Sequence, residues 1–220
     1  MVSLRGEKMK DIPIFTTENG VASLTLKEIP YSQTAYIQIQ DSMDPAMLLD
    51  ECVSFCRAVG AEIVLATGND ILEMYPVHTT VIKMQCQIKD LPETDAALFP
   101  VQTETFEQWR KIYNDRMKNV HNAAFLSAME RDRFLKSHNC YFVHREDVLL
   151  GMGAVADNQI EVVASVVPGS GADVMLALCN AVFSDVVSLE VASNNLKALN
   201  LYNRLGFIPI AEVSKWYRIY

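Results

Sequence analysis

The sequence lacks any apolar run near the ~20 residues that a membrane-crossing helix needs, so no membrane partner is expected. It also lacks a Cys-x-x-Cys pair. The five cysteines, Cys52, Cys56, Cys86, Cys140 and Cys179, are odd in number and lie mostly in apolar periodic segments. No zinc or dithiol site is therefore encoded locally. The thiols read as buried and reduced, including Cys52 and Cys56 one helical turn apart, which implies a reducing, cytoplasmic setting. The four histidines, His78, His121, His138 and His144, share no metal-ligand spacing, so no metal is expected. No Ser or Cys stands in a nucleophile elbow. Basic residues are in deficit: 19 Lys and Arg against 27 Asp and Glu give a net charge of -8. That balance argues against non-specific nucleic-acid binding and is compatible with a cationic substrate. The opening Met1 to Lys10 is polar and charged, so neither a secretory signal nor an anchor is expected there. What is present is ordinary for a globular protein, and 220 residues suffice for one large domain or two small ones.

The chain is expected to divide near Asp90 to Asp95, where the polar, proline-containing Lys89-Asp-Leu-Pro-Glu-Thr-Asp95 separates two apolar stretches. The domains read as 1–93 and 94–220. In the first, 21–27 and 34–40 alternate as strands do. Asp44-Pro45 is a helix start, a capping carboxylate followed by proline at the first helical position. Met47, Leu48, Cys52, Phe55 and Cys56 form the apolar face of that helix, which stops near Gly60. Strands are expected at 62–66 and 79–88. In the second domain the pattern predicts a strand at 97–101 and helices at 106–120 and 125–137. A hairpin follows at 140–144 and 148–155, then a central strand at 160–167, a helix at 172–183 and a strand at 186–191. A helix at 195–205 and strands at 208–213 and 215–220 close the chain. Asp44 to Asn69 and Gly171 to Asn195 share the order helix, strand, turn. The likeness is either a fold unit present twice, the first copy abbreviated, or a chance similarity of two β-α-β stretches. Trp109, Tyr113, Trp216, Tyr217 and Tyr220 read as packing residues.

The most informative segment is Asn195-Leu-Lys-Ala-Leu-Asn-Leu-Tyr-Asn-Arg-Leu-Gly-Phe207. Ala198, Leu201, Tyr202 and Leu205 share one helical face, and Gly206 suits a left-handed stop. By periodicity alone this is a core-facing amphipathic helix with a tyrosine at its edge. The full string resembles the signature of the GNAT superfamily of acyl-CoA-dependent N-acyltransferases, matching it at Asn195, Ala198, Leu201, Tyr202, Gly206 and Phe207. The element order from Ala97 to Tyr220 is similar to a complete domain of that family. The resemblance thus covers a little more than half of the chain, and is topological outside the helix.

The resemblance implies an α/β (α+β) fold, a mixed and mostly antiparallel twisted sheet flanked by helices, as a tandem with an abbreviated N-terminal copy. It implies transfer of an acetyl or other acyl group from acetyl-CoA, or another acyl-CoA, to a primary amine on a small molecule or peptide. Strand 160–167 and the next strand would splay apart around the cofactor. Val166 and Val167 would pair with its pantetheine amides, and Asn195 would face its arm. Tyr202 would protonate the leaving sulfur, and Glu161 would take the amine proton directly or through water. A solvated or ion-paired carboxylate is the other reading of Glu161. The pyrophosphate loop departs from the family. Val167-Pro-Gly-Ser-Gly-Ala-Asp173 lacks the usual Arg or Gln, and no Lys, Arg or His occurs between Arg145 and Lys197. Gly169, Ser170, Gly171 and Ala172 form either a nest of amides for phosphate or a plain tight turn. Phosphate binding would then rest on backbone dipoles, Lys197, Arg204 or the N-terminal half. The alternative function is a binding or regulatory module of the same fold that has lost catalysis. By the same resemblance Trp216 borders the acceptor site.

Overall fold

A computed structural model of the chain describes residues 10–118, 120, 124–137 and 139–220. The chain divides into two units, one made of the chain up to Val81 with Glu212–Tyr220, the other of Ile82–Ala211.

The first unit opens with β1 (Ile12–Thr17), β2 (Gly20–Thr25), the single turn α1 (Ile29–Ser32) and β3 (Thr34–Ser42). These three strands are antiparallel in that order. β1 is absent from the sequence expectation and carries a proline, Pro13, which removes one backbone donor from it. The structure accommodates the proline at a register shift between Ile12 and Phe15 on the first strand of the sheet order, where a missing N–H costs least. α2 (Pro45–Ala58) follows, with the Asp44 carboxylate accepting from Met47 N at 3.1 Å. Leu48, Leu49, Cys52 and Cys56 face the core, whereas Met47, expected on that face, is exposed. The helix crosses to β4 (Ile63–Thr67), parallel to β3 from Thr34↔Ile63 to Gln38↔Thr67. Asn69 then caps a 3-10 turn, Asp70–Met74, by accepting from Ile71 N. β5 (Val77–Gln87) leaves this unit at Val81.

The second unit repeats that order with additional elements. After the 3-10 turn Ile88–Asp90 come β6 (Ala97–Pro100), α3 (Phe106–Met117) and α4 (Arg131–Ser137). The expected helix over 125–137 is shortened to α4 and a preceding 3-10 turn, Ala128–Glu130. The reason is a side-chain clamp. Asn114 bonds both the carbonyl and the N–H of Leu126 at 2.9 Å, and buried Arg110 donates to the same carbonyl, so the backbone there is already satisfied without a helix. β7 (Cys140–Arg145), β8 (Val148–Ala156) and β9 (Gln159–Ser165) are antiparallel, with β6 on the outer side of β7. α5 (Gly171–Cys179) crosses to β10 (Val186–Ala192), which is parallel to β9. α5 ends before Phe183, which is fully exposed. α6 (Leu196–Arg204) then leads through Gly206, at φ 90°, to β11 (Ile208–Arg218), one strand where two were expected. The last residues of β11 belong to the first unit, where Tyr217 and Arg218 pair with Ala66 and Leu65 of β4.

The internal likeness is therefore topological. β1-β2-β3-α2-β4 and β7-β8-β9-α5-β10 are each three antiparallel strands, a crossover helix and a parallel strand. Where the second unit has α6, the first has only the Asp70–Met74 turn. α5 is buried all round, from Val174 to Cys179. It lies so close to β8 that a Cβ on Gly153 would stand 2.3 Å from Leu178 Cδ1 and 2.5 Å from the Val162 carbonyl. Burial of such a helix, at about 1.5–3 kcal/mol per large apolar side chain, is what fixes it on the sheet.

Candidate active site

β9 is irregular on both edges at one place. Toward β8, Ala154 pairs with Val162 and Val155 with Ile160, so Glu161 is the extra residue of a β-bulge. A bulge bends a strand and re-aims the side chain it carries. Toward β10 the pairing consists of Ser188↔Gln159 and Leu189↔Ile160. β9 continues to Ser165 and β10 to Ala192, so the strands part beyond Ile160 and leave a wedge with Glu161 at its apex. The corresponding strands of the first unit do not part: β4 pairs with β3 along its whole length.

At the wide end of the wedge the chain enters α5. The N–H groups of Val166 and Val167 both point to the Leu150 carbonyl, at 2.8 and 3.3 Å. What these two residues can offer a ligand is therefore the Val166 carbonyl rather than their donors, since the Val167 carbonyl already accepts from Ser170. The Ser170 hydroxyl turns inward, 2.9 Å from the Leu150 carbonyl and 2.8 Å from that of Val167, and does not cap the helix. The first-turn amides of α5 are thus left without a side-chain acceptor, whereas α2 has the Asp44 carboxylate. Gly169, at φ 87°, makes the turn, and a Cβ there would meet nothing within 4 Å. A Cβ on Gly171 would come within 3.2 Å of Leu201 Cδ2, so the start of α5 lies against α6. Uncapped helix amides beside open space form the kind of cradle an anionic phosphate fits.

The charge at this end differs from what the spacing suggests. Asp173, in the first turn of α5, is bridged by Arg145 at 2.7 Å, which also holds Asp95 at 2.6 Å. Arg116, at the end of α3, donates its Nε–H to the Ser165 carbonyl at 3.0 Å. These two guanidinium groups reach the segment from 28 and 49 residues away. No local pattern announces them.

At the apex, Glu161 is ion-paired with Arg133 of α4, Oε2 to Nη2 at 2.9 Å. Tyr202 is buried against Phe207, ring centres 6.0 Å apart, and desolvation pushes its phenol up to about 12. It therefore stays protonated, as a proton donor must, throughout the neutral range. Asn195 caps α6, its side-chain oxygen accepting from Ala198 N at 3.2 Å. Among the described residues no group of three or more His, Cys, Asp or Glu could hold a metal ion. His121 and His138 lie outside the described residues. Among the described residues no helix is long and apolar enough to cross a membrane.

No protein-family model matches this sequence, and no curated protein matches it. Solved structures do. A GCN5-related N-acetyltransferase from Sphaerobacter thermophilus superposes with a TM-score of 0.56 at 11% identity, over 90% of this chain and 75% of that one. The chain has the GNAT fold. A tandem GNAT protein from the clavulanic acid biosynthesis pathway matches with a TM-score of 0.51 at 12% identity, over 91% of this chain and 78% of that one. A functionally unknown conserved protein from Staphylococcus epidermidis matches with a TM-score of 0.59 at 11% identity, over 98% and 96% of the two chains. In the GNAT fold seen here, the parted strands, the uncapped start of α5 and the helix carrying Tyr202 all belong to the second unit. Glu161, Val166, Val167, Gly169, Ser170, Gly171, Ala172 and Tyr202 thus come from β9, its loop to α5, the first turn of α5, and α6. Trp216 is in the first unit, edge-on to Tyr36.

Proposed function

We propose that this protein transfers an acyl group, acetyl in the simplest case, from acyl-CoA to a primary amine, using the second unit alone. The observation that carries this reading is the parting of β9 and β10 beyond Ile160↔Leu189 next to the uncapped start of α5. An acyl-CoA supplies a thioester, an acyl group already activated toward an amine. The five residues of strand from Glu161 to Ser165 span roughly 13 Å, which suits an extended pantetheine arm between a reacting end and a phosphate end. The α5 amides, the turn at Gly169 and the guanidinium of Arg116 would hold the phosphates, while Arg145 offsets the charge of Asp173.

At the apex Glu161 would receive the proton that the amine releases as its nitrogen bonds to the acyl carbon. Tyr202 would give its phenolic proton to the sulfur as the carbon–sulfur bond breaks, a charge that a buried donor stabilises more than water does. Asn195 acts in this reading by fixing the start of α6. The division of labour between a catalytic second unit and an abbreviated first unit is part of the proposal. A cytoplasmic location is the setting in which five free thiols and acyl-CoA occur together.

The test is binding first, then turnover. CoA and acetyl-CoA should raise the melting temperature, and an amine panel with acetyl-CoA should release free thiol. Tyr202→Phe should lower kcat by roughly 10²-fold or more with CoA affinity unchanged. No melting shift at millimolar CoA would overturn the reading. Binding without turnover would indicate the non-catalytic module instead.

A further inference from the structure

The acyl-transfer reading uses a carboxylate at the wedge apex but gives no reason for a guanidinium beside it. Arg133 stands 2.9 Å from Glu161, and both side chains reach solvent, at 61% and 34% exposure. The guanidinium carbon rests 4.6 Å from the centre of the Phe134 ring. That ring is buried, so the cation lies on a fixed aromatic surface rather than swinging on a flexible stem. Its bond to Glu161 uses only part of its fork of N–H donors.

An acceptor bearing only an ammonium group must displace this cation from Glu161 and then sit beside it. An acceptor that also carries a carboxylate replaces Glu161 on Arg133 with an anion of its own. Arg suits that exchange, because its planar fork pairs with a carboxylate through two parallel bonds. We propose that the acceptor is an amino acid, a zwitterion whose carboxylate lies one or two carbons from its amine. Arg133 binds the carboxylate and Glu161 receives the amine. This rests on the acyl-transfer reading above. The bound ammonium first gives one proton to Glu161, which passes it to solvent. When the nitrogen–carbon bond forms and the carbon–sulfur bond breaks, the nitrogen's second proton goes to Glu161 and the sulfur takes one from Tyr202; Glu161 then loses its proton to solvent and Tyr202 regains one from it. The product amide is uncharged at nitrogen. It no longer pairs with Glu161, so Arg133 returns to its resting partner and the product leaves.

The experiment compares the common amino acids with their decarboxylated amines, such as phenylalanine with phenethylamine. Binding to the CoA-loaded protein is measured by calorimetry, and turnover with acetyl-CoA by thiol release. At least one amino acid should bind tenfold or more tightly than its amine. Arg133→Gln should bring that ratio to within threefold, raising KM for the amino acid more than it lowers kcat, while CoA affinity stays the same. Arg133→Lys should keep part of the preference. Amines that bind or react as well as the amino acids, or a ratio untouched by Arg133→Gln, would overturn this proposal and leave acyl transfer standing. Absence of CoA binding in the unaltered protein would overturn both.

Discussion

Gly169→Ala separates the structural cost of the α5 turn from its use as a phosphate cradle. Gly169 has φ 87°, a conformation that costs an L-residue roughly 1–2 kcal/mol. Its Cβ position is open, with nothing within 4 Å, so no steric penalty adds to that. The expected fall in melting temperature is a few degrees, since 1 kcal/mol shifts a chain of this size by about 2–4 °C. The functional effect should be separate. If phosphate rests on the α5 amides, the added methyl occupies its space, and a tenfold weaker CoA affinity is a modest expectation. At a CoA concentration 100 times the original dissociation constant, the ligand's stabilisation then falls from about 2.7 to about 1.4 kcal/mol. The melting shift produced by CoA is roughly halved, while any shift produced by pantetheine, which has no diphosphate, is retained. Thermal unfolding of both proteins with each ligand reads all of this in one series. An unchanged CoA shift in Gly169→Ala would refute the cradle. An unchanged melting temperature without ligand would refute the backbone argument.

Gly153→Ala should be costlier, because its Cβ meets a backbone carbonyl at 2.5 Å as well as Leu178. Overpacking of about 1–3 kcal/mol or more should appear as a lower midpoint in urea, and a midpoint equal to the parent's would contradict the close approach of α5 to β8. Calorimetric titration should find one CoA per chain, since β3 and β4 stay paired in the first unit while β9 and β10 part in the second; a stoichiometry of two would show that reasoning wrong. All five cysteines are buried, and burial pushes Cys52, Cys140 and Cys179 up to about 12 and Cys56 to about 11. Maleimide at pH 8 should therefore label the native protein hardly at all and the unfolded protein fully, and rapid labelling of the native fold would disprove it.

The elements with a strong local signal were legible from the residues alone. Asp44-Pro45 starts α2, the β7–β8 hairpin turns where expected, and the string from Asn195 to Phe207 forms α6 with its glycine stop. Each depends on residues within a few positions of one another, through caps, turns and helical periodicity. β1 was not read from the sequence, and its Pro13 is accommodated at a register shift that only the paired strand reveals. The shortening of the helix over 125–137 was likewise decided by Asn114 and Arg110, more than ten residues away. The candidate site divides in the same manner. Tyr202 and Glu161 were nameable only through the family resemblance carried by the helix string and the element order. The bulge at Glu161, the parting of β9 from β10, and the arrival of Arg116, Arg133 and Arg145 depend on register and on contacts spanning 28 to 50 residues. A sequence encodes such contacts only through the fold that closes them. The local code therefore determined which residue types stand on which element, and tertiary structure alone decided which charges meet at the wedge.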